Sequence, residues 1–479
     1  MNSRARVPAI LGLIVLGYFA LATLYAVRVP IWNAPDEPAH YNVIRSIAVD
    51  HQLPVLRPGD YDQEKLARLM HEHFPPGESI DSLRYESHQP PLYYLLAAPV
   101  FLATEHASLH ARVVALRLVT TLIGALVILT TFRLARLIFP RSTAYPLAAA
   151  AFVAFVPMHL FMDAAIDNDA LVELMLTLLL IVLVEDLIKP REGVNDLKAG
   201  LAAGLAALAK LDGGISAVLI VVGFTGSALL GSHRDRALRR VPVRVLRAGV
   251  IAALVSGWWF ARNLLLYGLG DPFALRRHAQ VVVGQPLTGG LTAAKMRDML
   301  LTAFHSFWGQ FGWMGIPYSD RTYDVLATLS LLVALGGALF GWRVIRYFWS
   351  LRHELGDKPS AGSRGQISAA SITNRAIGGG LTGFPIDRAQ AWALGLLLLD
   401  VLLVIVGVVF YNVRYLQPQG RYLFPSLPAL AIFSTAGIGE LFRDEHVGLI
   451  LALAGVGLFG FCIISLFQVI GPAFAAAPS

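Results

Sequence analysis

Runs of apolar residues about twenty long, recurring from one end of the chain to the other, leave very few folds open. The first is Pro8–Val27, and others follow at Val113–Phe139, Ala144–Met162, Ile215–Leu230 and Gly448–Ile470. A helix needs about 20 apolar residues to cross the hydrocarbon of a bilayer, and inside lipid each backbone N–H and C=O must be satisfied within the protein. The pattern predicts an all-α polytopic membrane protein of about eleven transmembrane helices. Composition agrees, since only 15% of the 479 residues are charged and mean hydropathy is +0.60, whereas soluble domains are about 25% charged. The 39 Lys+Arg exceed the 32 Asp+Glu, but the surplus is confined to alternate loops. It therefore reports orientation in the membrane rather than a nucleic-acid partner. The single cysteine, Cys462, sits in the last apolar run and can form neither an intrachain disulfide nor a cysteine metal site.

Orientation follows from the arginines. Arg4 and Arg6 place the start of the chain in the cytoplasm, so residues 1–27 form an uncleaved first span and 28–111 a long extracytoplasmic loop. Inside this loop Pro38 reads as a first-turn proline, with Asp36 or Glu37 at the cap and AHYNVIRSIAVD as an amphipathic helix behind it. A second polar helix is expected around Gln63–His73. The apolar run Pro90–Thr104 is too short to span and reads as an interfacial helix, with Tyr93 and Tyr94 at the water boundary. Were it to cross, Arg133, Arg136 and Arg141 would end up outside. Residues 112–266 then hold helices two to seven, and 267–324 form a second, aromatic-rich outer loop. Residues 325–479 hold the remaining four helices, with a Gly- and Ser-rich cytoplasmic loop at 343–389. No internal repeat is evident, which weakens a transporter reading.

On this topology four polar clusters meet at the outer face: PDEPAHY (Pro35–Tyr41), DNDAL (Asp167–Leu171), WFARN (Trp259–Asn263) and QPQGRYLFP (Gln417–Pro425). Carboxylates beside arginines at a membrane interface suit a lipid phosphate: the cations hold the phosphate and a carboxylate takes a proton from an attacking hydroxyl. Taken singly each cluster has a plainer explanation. The Asp-Glu-Pro triplet starts a helix, DNDAL caps one, and WWFARN is an aromatic belt with an anchor. His71 and His73 read as solvated. Asp400, in the middle of an apolar run, is expected to pair with a neighbouring helix rather than to relay protons.

Taken together, these clusters resemble the GT-C membrane glycosyltransferases, the superfamily of protein O-mannosyltransferases, lipid A aminoarabinose transferases and oligosaccharyltransferases. The likeness rests on PDEPAHY, HQPPLYY (His88–Tyr94), DNDAL and GRYLFP (Gly420–Pro425), and extends over essentially the whole chain. It implies a GT-C-type fold with interfacial helices in the first extracytoplasmic loop. It also implies an inverting transferase that uses a polyprenyl-phosphate-linked sugar at the outer face of the plasma (inner) membrane, with a lipid, glycan or protein acceptor. By the same likeness Asp36 is the base with Glu37 beside it, Asp169 is the acidic residue after the third span, and Arg421 holds the donor phosphate. Tyr422, Asp167, His40, His88, Gln89, Arg262 and Asn263 complete the expected substrate contacts. The family works with or without a metal; a Mg²⁺ or Mn²⁺ ion would fall to Asp36 and Asp169. A flippase of lipid-linked saccharide and a non-catalytic assembly subunit are the alternatives from other classes. The first needs a polar path at mid-membrane, and the second makes the clustered carboxylates dispensable.

Overall fold

The computed structural model describes residues 3–290, 292–356 and 386–475. The stretch 358–385, most of the expected Gly- and Ser-rich loop, lies outside them. Among the described residues the chain is a bundle of long helices. Eight are long and apolar enough to cross a membrane, or nine if one bent pair counts as a single span. That pair is α6 (Ala144–Phe155) and α7 (Pro157–Asp163), broken by 65° where Pro157 supplies no N–H.

Two of the about eleven expected spans are helices outside that length-and-composition count, one for its charges and the other for its length. Helix α8 (Asp169–Ile188) carries Asp169, Glu173, Glu185 and Asp186, and α9 (Val194–Ala209) has 16 residues. Both run antiparallel within the bundle. The carboxylates of α8 are tolerated because the helix is enclosed by α5 (Leu109–Ile138), α9 and α10 (Ser216–Leu230), so its charges meet protein instead of lipid. At the arginine-rich end of the bundle α8, α9 and α11 (Arg234–Tyr267) are pinned together by Arg244. Its guanidinium donates to Asp186 at 2.9 and 3.0 Å and to Asp196 at 2.7 Å, and it lies 3.9 Å over the Phe224 ring.

The opposite end of the bundle is covered by the first loop. It holds α2 (Glu37–Ala48), α3 (Gln63–His71) and α4 (Leu92–Ala103), close to where the sequence put three loop helices. At 12 residues α4 is about 18 Å long, too short to cross. Tyr93 and Tyr94 face the protein interior. Both are fully buried, Tyr93 2.7 Å from Thr120 Oγ1 and Tyr94 2.9 Å from His40 Nδ1, because α4 lies over the bundle and turns these hydroxyls inward. The second loop adds α12 (Leu275–Val281), α13 (Ala293–Gly309) and a two-residue hairpin of β1 (Gln310–Phe311) with β2 (Ile316–Pro317). Trp313 between the strands donates to Trp32 O at 2.8 Å, tying the two loops together. The last spans are α14 (Asp320–Gly356), α15 (Arg388–Arg414), α16 (Leu427–Leu441) and α17 (Asp444–Ile464).

Candidate functional site

Asp36 and Glu37 are neighbours in sequence and point into different surroundings. Glu37 opens α2 and is wholly buried beside Arg117 of α5, which donates to it at 2.6 and 2.7 Å. The backbone N–H of Trp32 donates to the same carboxylate at 2.9 Å. Arg117 spends its remaining donors on the carbonyls of Ala26, Val29 and Pro30, at the exit of α1 (Ser3–Arg28). The pair thus locks the start of the first loop onto the bundle.

Asp36 sits at the helix cap with φ +65°, in the left-handed region that Asp tolerates better than most residues. It makes no side-chain cap bond, so its carboxylate is free to turn away from α2. Tyr85 OH donates to Oδ1 at 2.9 Å, and Arg421 Nη2 donates to Oδ2 at 2.5 Å. Arg421 arrives on the tight turn Gly420–Ser426 between α15 and α16. That turn is seated against α13 by Gly420, whose N–H donates to Ser306 Oγ at 2.8 Å. A Cβ at Gly420 would lie 2.3 Å from Ala303 O, so only glycine permits the approach that delivers Arg421. The turn is steadied by an isolated bridge of Leu287 to Tyr415 and by Gln419, whose Oε1 accepts from Arg421 Nε at 2.7 Å.

The third member comes from the loop between α7 and α8. Asp167 Oδ2 lies 3.6 Å from Arg421 Nη1, beyond hydrogen-bond reach, while its Oδ1 accepts from the Asp169 N–H at 2.8 Å. Asp169 in turn pairs with Lys210, which follows α9 and also lies 3.7 Å from Asp212. Two cations therefore alternate with three carboxylates across the site.

Burial works to protonate the Asp36 carboxyl, yet Arg421, with help from His40 and Tyr85, holds it below the usual carboxylate range. Burial and the neighbouring Asp169 push Asp167 up to about 8. Burial raises Glu86 to about 7, and the Asp36 charge adds to that against the pull of His40. For Lys210 burial works toward neutrality, but Asp169 keeps it firmly cationic. Burial lowers His40, whose Nδ1 lies 2.9 Å from Tyr94 OH.

Of the residues expected at the site, Asp36, His40, Asp167, Asp169 and Arg421 are brought together. Tyr422 flanks them, its ring 5.3 Å from the Arg421 guanidinium. Glu37 is drawn aside to Arg117. His88 packs against His278 at a tilt of 51° with ring centroids 4.5 Å apart, and the Gln89 Oε1 atom is buried without a hydrogen bond. Arg262 donates to the carbonyls of Leu53 and Pro54 at 3.0 and 2.8 Å, and Asn263 to Pro272 O at 3.0 Å, so both hold loop backbone in place. Lys210, Glu86, Tyr85 and Gln419 belong to the neighbourhood and were not anticipated. The first lies in KLDGG between two apolar runs and the next two precede HQPPLYY, but no sequence pattern ties them to Asp36. Among the described residues no group of three His, Cys, Asp or Glu side chains could hold a metal ion. Asp36 and Asp169, the two carboxylates expected to hold a metal, each pair with a cationic side chain, Arg421 and Lys210.

Residues 88–260 match the family described as dolichyl-phosphate-mannose-protein mannosyltransferase. No curated protein matches the chain in sequence. Among solved structures, ArnT from Cupriavidus metallidurans in the apo state superposes with a TM-score of 0.51 at 14% identity. The match covers 97% of this chain and 66% of that one. The chain has the GT-C fold. The same ArnT bound to undecaprenyl phosphate gives a TM-score of 0.47 at 15% identity, covering 99% and 75% of the two chains. The Archaeoglobus fulgidus oligosaccharyltransferase in complex with Zn and sulfate gives 0.47 at 14% identity, covering 93% and 52%. The chain thus spans about half the length of that oligosaccharyltransferase. Within this GT-C bundle, Asp36 on the first loop and Arg421 on the late turn are 385 residues apart in sequence and in direct contact in space.

Proposed function

We propose that the protein transfers a sugar from a polyprenyl-phosphate carrier to an acceptor hydroxyl at the extracytoplasmic face, with inversion at the anomeric carbon. The observation that carries this reading is the Asp36–Arg421 pair, a carboxylate and a buried guanidinium held together by one hydrogen bond. Donor phosphate presents Arg421 with a second anion of matching geometry. As the guanidinium turns to the phosphate, Asp36 loses the ion pair that holds its proton affinity down. Burial then makes it a stronger base at the moment substrate is present.

The acceptor O–H bond breaks as its proton passes to Asp36, and the oxygen forms a bond to the anomeric carbon. The bond from that carbon to the phosphate oxygen breaks on the opposite face, and polyprenyl phosphate leaves. Its charge grows from one to two negatives and is met by Arg421 and Lys210, donors already positioned where that charge appears. Tyr85 orients the Asp36 carboxylate, and Glu37 with Arg117 holds the loop that carries it.

The test is transfer of label from a polyprenyl-phosphate-linked sugar by the protein in liposomes, together with mass spectrometry of cell-envelope glycans with and without the gene. An unchanged glycan profile with no label transferred from any such donor would defeat the reading.

A further inference from the structure

Below the carboxylate site lies a second polar cluster that the transfer step does not use. His159 and Asp163 on α7, Glu173 on α8 and Tyr18 on α1 are all buried. His159, Asp163 and Glu173 line a small cavity together with Asp167 and Asp169, and Phe424 from the Arg421 turn meets the His159 ring edge-on at 5.1 Å. The hydrogen bonds restrict where protons can be. His159 Nδ1 lies 2.9 Å from Val153 O, and a carbonyl only accepts, so Nδ1 carries hydrogen. The other ring nitrogen is 2.9 Å from Glu173 Oε2. That contact holds one proton, on the nitrogen as imidazolium with carboxylate or on the oxygen as imidazole with carboxylic acid.

The far oxygen, Glu173 Oε1, is buried and has no hydrogen bond. An unpartnered carboxylate oxygen in such a place is costly unless a proton or a cation is supplied. Oε1 is therefore the open acceptor of the pair, where a further proton can be taken up. Glu173 is one helical turn after Asp169, on the same face of α8, and both line the cavity.

We propose that the His159–Glu173 pair is a proton relay for the site above it, taking up through Glu173 the proton released when the acceptor hydroxyl reacts. The inference rests on the transfer reading, in which each turnover frees one proton and adds one negative charge to the phosphate. In the step, Asp36 gives up the proton gained from the acceptor. It passes by way of the Asp167 and Asp169 carboxylates to Glu173, leaving Glu173 as the acid and His159 as imidazolium. The pair then sits as a positive charge beneath the new phosphate dianion, and the proton returns to solvent after polyprenyl phosphate departs. The charged and titratable groups around His159 are Tyr18 from α1, Asp163 from its own helix, Glu173 and Asp169 from α8, and Asp167 from the connecting loop. Tyr18 OH donates to Asp163 Oδ2 at 2.7 Å, and His159 Nδ1 lies 3.6 Å from the same oxygen, so Asp163 shields the pair from the α1 side. His159 and Glu173 are positioning residues, since neither reaches the reacting atoms.

Glu173→Gln keeps the shape and can still bond to the ring nitrogen but cannot take up the proton; Glu173→Asp keeps an acid. In liposomes, infrared difference spectra on adding polyprenyl phosphate alone should show a carboxylic-acid carbonyl band in the wild type that is absent from Glu173→Gln. Turnover of Glu173→Gln should fall by on the order of tenfold, with the pH profile displaced and the Michaelis constant for donor little changed. Glu173→Asp should restore part of the rate. Binding of polyprenyl phosphate with identical spectra and parallel pH profiles in wild type and Glu173→Gln would overturn the relay and leave the transferase reading standing. No binding of polyprenyl phosphate, with Asp36→Asn as active as wild type, would sink the transferase reading instead. Should Glu173→Gln not fold, His159→Gln is read in the same two assays against the same outcomes.

Discussion

Asp36 and Glu37 adjoin in sequence, each faces an arginine, and the two pairs are built on opposite principles. Around Arg117 each of the five N–H groups has an acceptor: two carboxylate oxygens of Glu37 and the carbonyls of Ala26, Val29 and Pro30. Around Arg421, Nη2 donates to Asp36 and Nε to Gln419, Nη1 stands 3.6 Å from Asp167, and the Asp36 side chain is 23% exposed. A saturated buried pair has no capacity for a ligand and is expensive to break. An unsaturated one at an opening can exchange one of its members for a phosphate. Arg244 at the other end of the bundle lies between the two, with three donors on Asp186 and Asp196.

The sharpest way to break this comparison is to neutralise each acid in turn. Asp36→Asn should lower turnover by on the order of 10²–10⁴ with a melting temperature in detergent close to wild type. Near-native turnover would move the base to another carboxylate. Glu37→Ala should cost about 3–5 kcal/mol of stability, because it leaves the Arg117 charge buried and unpaired. Its readout is loss of folded protein on size exclusion. A stable, inactive Glu37→Ala would place Glu37 with Asp36 and dissolve the contrast.

The arginines offer a smaller and more specific test. Arg421→Lys loses the forked geometry and one or two charge-assisted bonds of about 1.5–3 kcal/mol each. Donor use, measured as kcat/KM, should fall by about 10- to 100-fold while the melting temperature holds. Arg117→Lys should do the reverse, lowering the melting temperature and leaving the kinetics of the surviving protein alone. If instead Arg421→Lys melts early and polyprenyl phosphate fails to raise the wild-type melting temperature, Arg421 is a helix clamp like Arg117.

The smallest effect is one of pH. Burial first, and a like charge second, raise Glu86 to about 7 and Asp167 to about 8, so both are neutral acids below those values and anions above them. As pH rises through this window the site gains negative charge and repels phosphate. The Michaelis constant for donor should therefore climb severalfold on going from about pH 6.5 to about pH 8.5, and Asp167→Asn should flatten the climb. A constant that falls with pH would mean that these acids are already ionised in the resting protein.

Fold class and the segments that matter were legible in the sequence because both depend on local pattern. Apolar length marks a span, Pro38 behind two acids marks a helix start, and an arginine at GRYLFP asks for an anion. That the four carboxylates of α8 are enclosed by α5, α9 and α10 was not legible, because surroundings are not local. For the same reason the surroundings of Asp400 were not legible: it lies fully buried, with Ser426 of the Gly420–Ser426 turn beside it. Sequence proximity also joined Glu37 to Asp36, since adjacent residues in a chain look like one site. Only the tertiary structure decided that the cap conformation of Asp36 turns its carboxylate to Arg421, while Glu37, one step into α2, faces Arg117. A helix rotates its side chains by about 100° per residue, so neighbours in sequence are assigned to different partners by whatever packs against each face.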